Sequence, residues 1–136
     1  MVWLAAAVCI GRPSPTLRGW NEISSWTLPG DQFGVVYACA GANRKIVLER
    51  FASRTDPEAR FVSDLLLPKL TRGEVLIERG QCTSDGTVDP YIVPFGTYSS
   101  SGRARVRHAW RVDLTSGNIV SVNAPSVKCE ASNEKY

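Results

Sequence analysis

The twelve residues Arg103-Ala-Arg-Val-Arg-His-Ala-Trp-Arg-Val-Asp-Leu114 decide the fold class, because their two sets of alternate positions differ in chemistry. One set is apolar apart from a single histidine: Ala104, Val106, His108, Trp110, Val112 and Leu114. The other set is polar apart from a single alanine: Arg103, Arg105, Arg107, Ala109, Arg111 and Asp113. Successive side chains of a β-strand point to opposite faces. The alternation therefore predicts a strand with one face in an apolar core and an arginine face in water.

Turn signals separate this strand from further apolar runs. Thr115-Ser-Gly-Asn118 leads into Ile119-Val-Ser-Val-Asn123, which predicts a hairpin. Earlier runs at 33–39, 45–51, 73–79 and 91–95 also predict strands. Thr55-Asp-Pro-Glu58 resembles a helix start, but residues 61–67 fit a strand equally well, so we expect at most one short helix. The prediction is a mainly β fold, an antiparallel sandwich or small barrel of about seven short strands.

The 136 residues are enough for one domain with its own core. Residues 1–10 form an apolar run too short to span a bilayer, which favours a signal or lipoprotein remnant over an N-terminal core strand. Residues 11–29 contain three prolines and are interpreted as an extended tether, leaving residues 30–136 as a single β domain. Export predicts a periplasmic or cell-envelope location, with membrane attachment only through a lipid anchor at Cys9.

Composition argues against several classes of function. Sixteen Lys and Arg against thirteen Asp and Glu leave a net charge of +3, and the aromatic residues are not interleaved with the basic ones, so we predict no nucleic-acid partner. The four cysteines lie too far apart for a CxxC metal or redox motif. Asp85-Gly-Thr-Val-Asp89 lacks the ligand spacing of an EF-hand-type calcium loop. We therefore predict no metal and no cofactor.

The cysteines at 9, 39, 82 and 129 leave the disulfide pairing open. If Cys9 belongs to a signal, one disulfide and one free thiol remain. We favour Cys39 with Cys129, which would join the first firm strand to the last. Cys82 with Cys129 is the main alternative, and a fully reduced set of core thiols is the third.

His108 is the only histidine, so a Ser-His-Asp site or a histidine-ligated metal would have to use it. Its position on the apolar face beside Trp110 favours a packed histidine instead. No nucleophile motif accompanies it, and we predict no catalytic residue. A small hydrolase using His108 is the alternative.

The arginine face is the strongest functional feature of the sequence. Residues two apart on one strand face stand about 7 Å apart, so Arg103, Arg105 and Arg107 would form a row of planar cations suited to carboxylates or phosphates. Cross-strand acids could instead neutralise them and leave an ordinary solvated face. The predicted binding residues are those of the preceding loop and the row itself: Tyr98, Ser99, Ser100, Ser101, Gly102, Arg103, Arg105, Arg107 and Arg111.

Two resemblances bear on this surface. Val36-Tyr-Ala-Cys39, His108-Ala-Trp-Arg-Val-Asp113 and Val127-Lys-Cys129 resemble uncharacterised bacterial envelope proteins. The Tyr-x-Cys strand, the closing cysteine and Ser99-Ser-Ser-Gly102 are similar to the periplasmic inhibitors of c-type lysozyme, in which a loop serine and a lysine after the tryptophan enter the lysozyme cleft. Arg103-Ala-Arg105 departs from that family's loop, and Val112 stands where it has the lysine.

The second resemblance implies a non-enzymatic exported inhibitor or immunity-like protein. Its partner would be another protein, a lysozyme or a toxin with an acidic cleft. A structural envelope protein of unknown role is a further alternative.

Overall fold

The computed structural model describes residues 9–52, 58–71, 73–78 and 81–130. These residues form twelve strands and one turn of 3-10 helix, which confirms the predicted mainly β antiparallel class. The count exceeds the predicted seven because several strands are only two to four residues long. Residues 61–66 are strand, and residues 55–57 of the predicted helix start lie outside the described residues. The chain divides into two compact units, Met1–Lys69 and Leu70–Tyr136.

The first unit is one antiparallel sheet with the strands in sequence order. Its strands are β1 (Arg12–Pro13), β2 (Asn21–Thr27), β3 (Phe33–Ala40), β4 (Asn43–Phe51) and β5 (Ala59–Leu66). The predicted tether is thus partly sheet, since β2 pairs along β3 with Trp26 opposite Val35. The sequence pattern did not reveal β2, because most of its side chains are polar and none of them is fully buried. Pro13, which lacks an N–H, lies in the edge strand β1, where the ladder does not need that donor.

The second unit contains two antiparallel sheets. Its strands are β6 (Val75–Leu76), β7 (Gln81–Ser84), β8 (Thr87–Val88), β9 (Ile92–Tyr98), β10 (Ala104–Asp113), β11 (Asn118–Val122) and β12 (Val127–Glu130). One sheet has the order β11-β10-β9-β6 and the other the order β12-β7-β8. Ile92 and Ala109 of the first sheet share a buried cluster with Val127 and Cys129 of the second, so this unit is a small two-layer sandwich.

A β-bulge interrupts the pairing of β9 with β10. Val106 lies opposite Gly96 and His108 lies opposite Phe95, so Arg107 has no partner on β9. Gly96 permits this close approach, since a Cβ built there would lie 1.9 Å from the carbonyl oxygen of Arg105. A residue larger than glycine cannot occupy position 96 unless one of the two strands moves.

The bulge reverses the alternation of β10. Directly opposed residues share a face, and Phe95 and Gly96 point to opposite faces, so Val106 and His108 do too, although the sequence pattern placed them together. Before the bulge Arg105 shares a face with Thr97, and after the bulge Arg111 shares a face with Ile92. Thr97 and Ile92 are five residues apart on β9 and point to opposite faces, so Arg105 and Arg111 do too. The prediction of one continuous arginine face is therefore wrong.

Two disulfides form, each within one unit: Cys9–Cys39 and Cys82–Cys129. The favoured pair of Cys39 with Cys129 is wrong, and its alternative with Cys82 is correct. The physical reason is register, because Cys82 of β7 lies directly opposite Cys129 of β12. Two disulfides indicate an oxidising environment outside the cytoplasm. No helix among the described residues is long and apolar enough to cross a membrane.

Candidate protein-binding surface

The loop between β9 and β10 is closed by its own hydrogen bonds. The Ser99 N–H donates to the Arg103 carbonyl at 2.8 Å, and the Gly102 N–H donates to the Ser99 carbonyl at 2.8 Å. The Arg103 N–H donates to the Ser99 hydroxyl at 3.1 Å, and the hydroxyls of Ser99 and Ser101 lie 2.8 Å apart. Gly102 takes a left-handed φ of 85°, which glycine adopts without strain. The loop thus has one defined shape before any partner arrives.

The side chains of this loop and of the residues after it are exposed. Tyr98 is 41% exposed, and Ser99, Ser100, Ser101, Arg103 and Arg105 are also exposed. Within the described residues, no carboxylate lies within ion-pair distance of Arg103 or Arg105. Two fixed positive charges therefore adjoin a preformed polar loop, and no acid in the described part of the chain neutralises them.

A cavity of about 800 Å³ opens beside these arginines. On the β10 side its lining runs from Gly102 to Val106, and on the β12 side it includes Val127, Lys128 and Cys129. Ala124 and Pro125, which belong to the 3-10 turn Ala124–Ser126, complete it. Lys128 is exposed, so three basic residues contribute to this lining, and no acidic residue among the described ones does.

Arg107, at the bulge, differs from Arg103 and Arg105 because it lies near a carboxylate. Its Nε lies 3.9 Å from Glu74, whose side chain is only 4% exposed, and Nε2 of His108 lies 3.4 Å from the same carboxylate. The His108 ring also stacks on Trp110, with centroids 6.1 Å apart and planes 15° apart. Burial acts to raise the pKa of Glu74, but hydrogen bonds from Thr71 and the charges of His108 and Arg107 outweigh it, so that this pKa lies below its ordinary value.

Arg111 belongs to a different environment. Its Nε donates to Asp89 at 2.8 Å, and its Nη2 donates to the same oxygen. By register it lies on the opposite face of the sheet from Arg105. The structure thus brings together residues 98–105 of the predicted binding set, places Arg107 at their margin and sets Arg111 apart.

The arrangement offers no assembled catalytic group in the described residues. His108 contacts Glu74 and Trp110, and no serine hydroxyl in the described part of the chain bonds to it. No cluster of three or more His, Cys, Asp or Glu among the same residues could hold a metal ion.

Sequence reasoning missed the contribution of Lys128 and of Ala124 and Pro125 to this surface. Lys128 adjoins Cys129, and the disulfide to Cys82 holds that strand in the small sheet. Pairing Cys82 with Cys129 from the sequence would have indicated the position of Lys128. It would have placed Lys128 on a strand of the sheet that packs against β10.

No protein-family model, curated protein or solved structure matches this chain.

Proposed function

We propose that this chain is an exported bacterial binding protein of the lysozyme-inhibitor or immunity type, which blocks an acidic cleft of another protein. The contact surface consists of Tyr98, Ser99, Ser100, Ser101, Gly102, Arg103 and Arg105. The observation that carries the proposal is the exposed, hydrogen-bonded loop next to two arginines for which the described residues provide no acidic partner. A preformed loop loses little conformational entropy on binding, and exposed arginines present forked donors to carboxylates.

The two disulfides support the exported location, since such bonds persist in oxidising compartments such as the periplasm. A lipid anchor at Cys9 and the Cys9–Cys39 disulfide exclude each other, because a sulfur bonded to Cys39 cannot also carry a lipid thioether. The proposed form is therefore the disulfide-bonded periplasmic one.

The test is inhibition and binding of a panel of c-type lysozymes and bacterial toxins by the purified oxidised protein. Two variants disturb the surface, Ser101→Asp in the loop and the double change of Arg103 and Arg105 to Glu. Arg60→Glu is the control, because Arg60 is an exposed arginine on β5 in the other unit.

We expect inhibition of at least one acidic-cleft partner, retained by Arg60→Glu and lost in both surface variants. A partner whose binding is equal for all four proteins would overturn the proposed surface. The absence of any partner across the panel would overturn the proposed function.

A further inference from the structure

The uncovered edge of β10 indicates the form of partner that this surface takes. β11 pairs with β10 only along residues 109–113. Before that point, among the described strands, β10 has a hydrogen-bonded neighbour on one side only, the strand β9. The four residues from Ala104 to Arg107 therefore form an open sheet edge.

The backbone of this edge has donors and acceptors to offer. Arg103 directs its N–H and C=O toward Ser99 on the β9 side. In an antiparallel ladder the next residue directs both groups to the other side. Ala104 and then Val106 accordingly present an N–H and a C=O to the uncovered side, which an added strand could bond.

The 800 Å³ cavity lies at this edge and gives room for such a strand. Its far wall includes residues 127–129 of β12, itself the edge strand of the small sheet. Arg103, Arg105 and Lys128 line the cavity, and no acidic residue from the described ranges does. At about 3.3 Å per residue, the four open residues span about 13 Å, so a segment of about four residues matches the open length.

The positive charges of the arginines and the open backbone groups together determine which kind of partner fits the open edge of β10. A second copy pairing edge to edge would place the arginines of one chain against those of the other, and like charges opposed across a ladder are destabilising. A charged polymer without amide groups would satisfy the arginines but leave the open backbone groups unbonded. An acidic extended peptide satisfies both.

We infer that the open edge of β10, residues 104–107, binds an acidic peptide segment of the partner as an added β-strand, with Arg103 and Arg105 receiving its alternate carboxylates. This inference rests on the proposed function and specifies the chemistry of the partner. Backbone hydrogen bonds supply the affinity, and the arginines select acidic over basic segments.

The probe is an end-blocked octapeptide of alternating Glu and Val, compared with its Lys-Val counterpart and with a form N-methylated at alternate residues. Binding to the intact oxidised protein is measured by calorimetry, and amide hydrogen exchange is followed at Ala104 and Val106. We expect the Glu-Val peptide to bind and to slow exchange at these two amides. N-methylation should weaken binding at least roughly ten-fold, because the methylated amides can no longer donate to the open edge of β10.

Variants of the protein provide the second arm. Changing Arg103 and Arg105 to Glu should weaken peptide binding roughly ten-fold, and Arg60→Glu should leave it unchanged. Ala104→Pro removes an outward donor and should weaken binding comparably, with thermal unfolding confirming that the variant folds. The N-methylated peptide tests the same hydrogen bonds without any change to the protein.

Each outcome is decisive. Equal binding of methylated and unmethylated peptide, or of a sulfated polysaccharide with the same dependence on the arginines, would overturn strand addition in favour of simple charge attraction. A self-associating protein would overturn it in favour of an edge-to-edge dimer. If a partner protein depends on Arg103 and Arg105 but not on the Ala104 N–H, the proposed function stands and this inference fails. If the peptide binds as a strand but no partner protein is blocked, the proposed function fails.

Discussion

Within β10, residues 109–113 after the bulge lie between two strands, whereas residues 104–107 before it have one neighbouring strand among the described residues. Ala109, Trp110 and Val112 are buried in the second half, although they point to both faces of the sheet. In the first half Arg105 and Arg107 are exposed, and Ala104 and Val106 are only half-buried. Strand neighbours on both sides coincide with burial, and an open side coincides with exposure. Residues 109–113 are therefore the structural half of β10, and residues 104–107 are its open half, which is available for binding.

The largest expected effect is in the structural half. Trp110→Ala should reduce the free energy of unfolding by roughly 3–5 kcal/mol, because a buried ring packed edge-to-face on Phe95 at 5.7 Å is lost. Val106→Ala, in the open half, should cost less than about 1.5 kcal/mol, since Val106 is half-buried. Urea unfolding measures both. Equal costs would mean that the two halves do not differ as described.

The bulge itself can be tested at Gly96. Gly96→Ala should cost about 1–3 kcal/mol, because its Cβ cannot share space with the Arg105 carbonyl. Thr97→Ala on the same strand is the control, and chemical denaturation is the measurement. A neutral Gly96→Ala would show that the two strands pair without this close approach.

Glu74 lies at the junction of the two halves and should give a smaller effect that depends on pH. Its pKa in the folded protein lies below the ordinary value of 4.5, so its ionised form stabilises the fold above that pH. This stabilisation is lost as the pH falls through the lowered value. The stability difference between parent and Glu74→Gln should therefore shrink as the pH is lowered from neutral through and below the ordinary pKa of 4.5. A difference that stays constant as the pH is lowered, measured by thermal unfolding, would contradict the contacts of Glu74 with His108 and Arg107.

The smallest effect is expected in the open half. Changing Arg103 and Arg105 to Glu should alter the free energy of unfolding by no more than about 0.5 kcal/mol, because both side chains are exposed and unpaired among the described residues. The same urea titration measures it. A loss above about 2 kcal/mol would show that these arginines hold the fold together.

The sequence pattern predicted the fold class because apolar runs and turn residues are local signals. It predicted β10 and the hairpin to β11, and it placed the loop 98–102 next to Arg103 and Arg105. It did not predict β2, since a polar strand gives a weak periodic signal.

The bulge and the disulfide pairing were not predicted from the sequence for another reason. The bulge depends on Gly96 meeting a strand eight or more residues away, and four cysteines permit three pairings that no spacing distinguishes. Both are set by register between strands. The separation of Arg111 from Arg105 therefore became visible only in three dimensions.

The disulfide pattern has a consequence for how the chain matures. Cys9 and Cys39 both precede Cys82 and Cys129, and each bond joins cysteines consecutive in sequence. A chain that enters an oxidising compartment amino end first can close the first bond before the second pair arrives. Correct bonding then needs oxidation in order of arrival and no isomerase, so removal of a cell's disulfide isomerase should leave the yield of the native protein unchanged, whereas removal of its oxidase should abolish it.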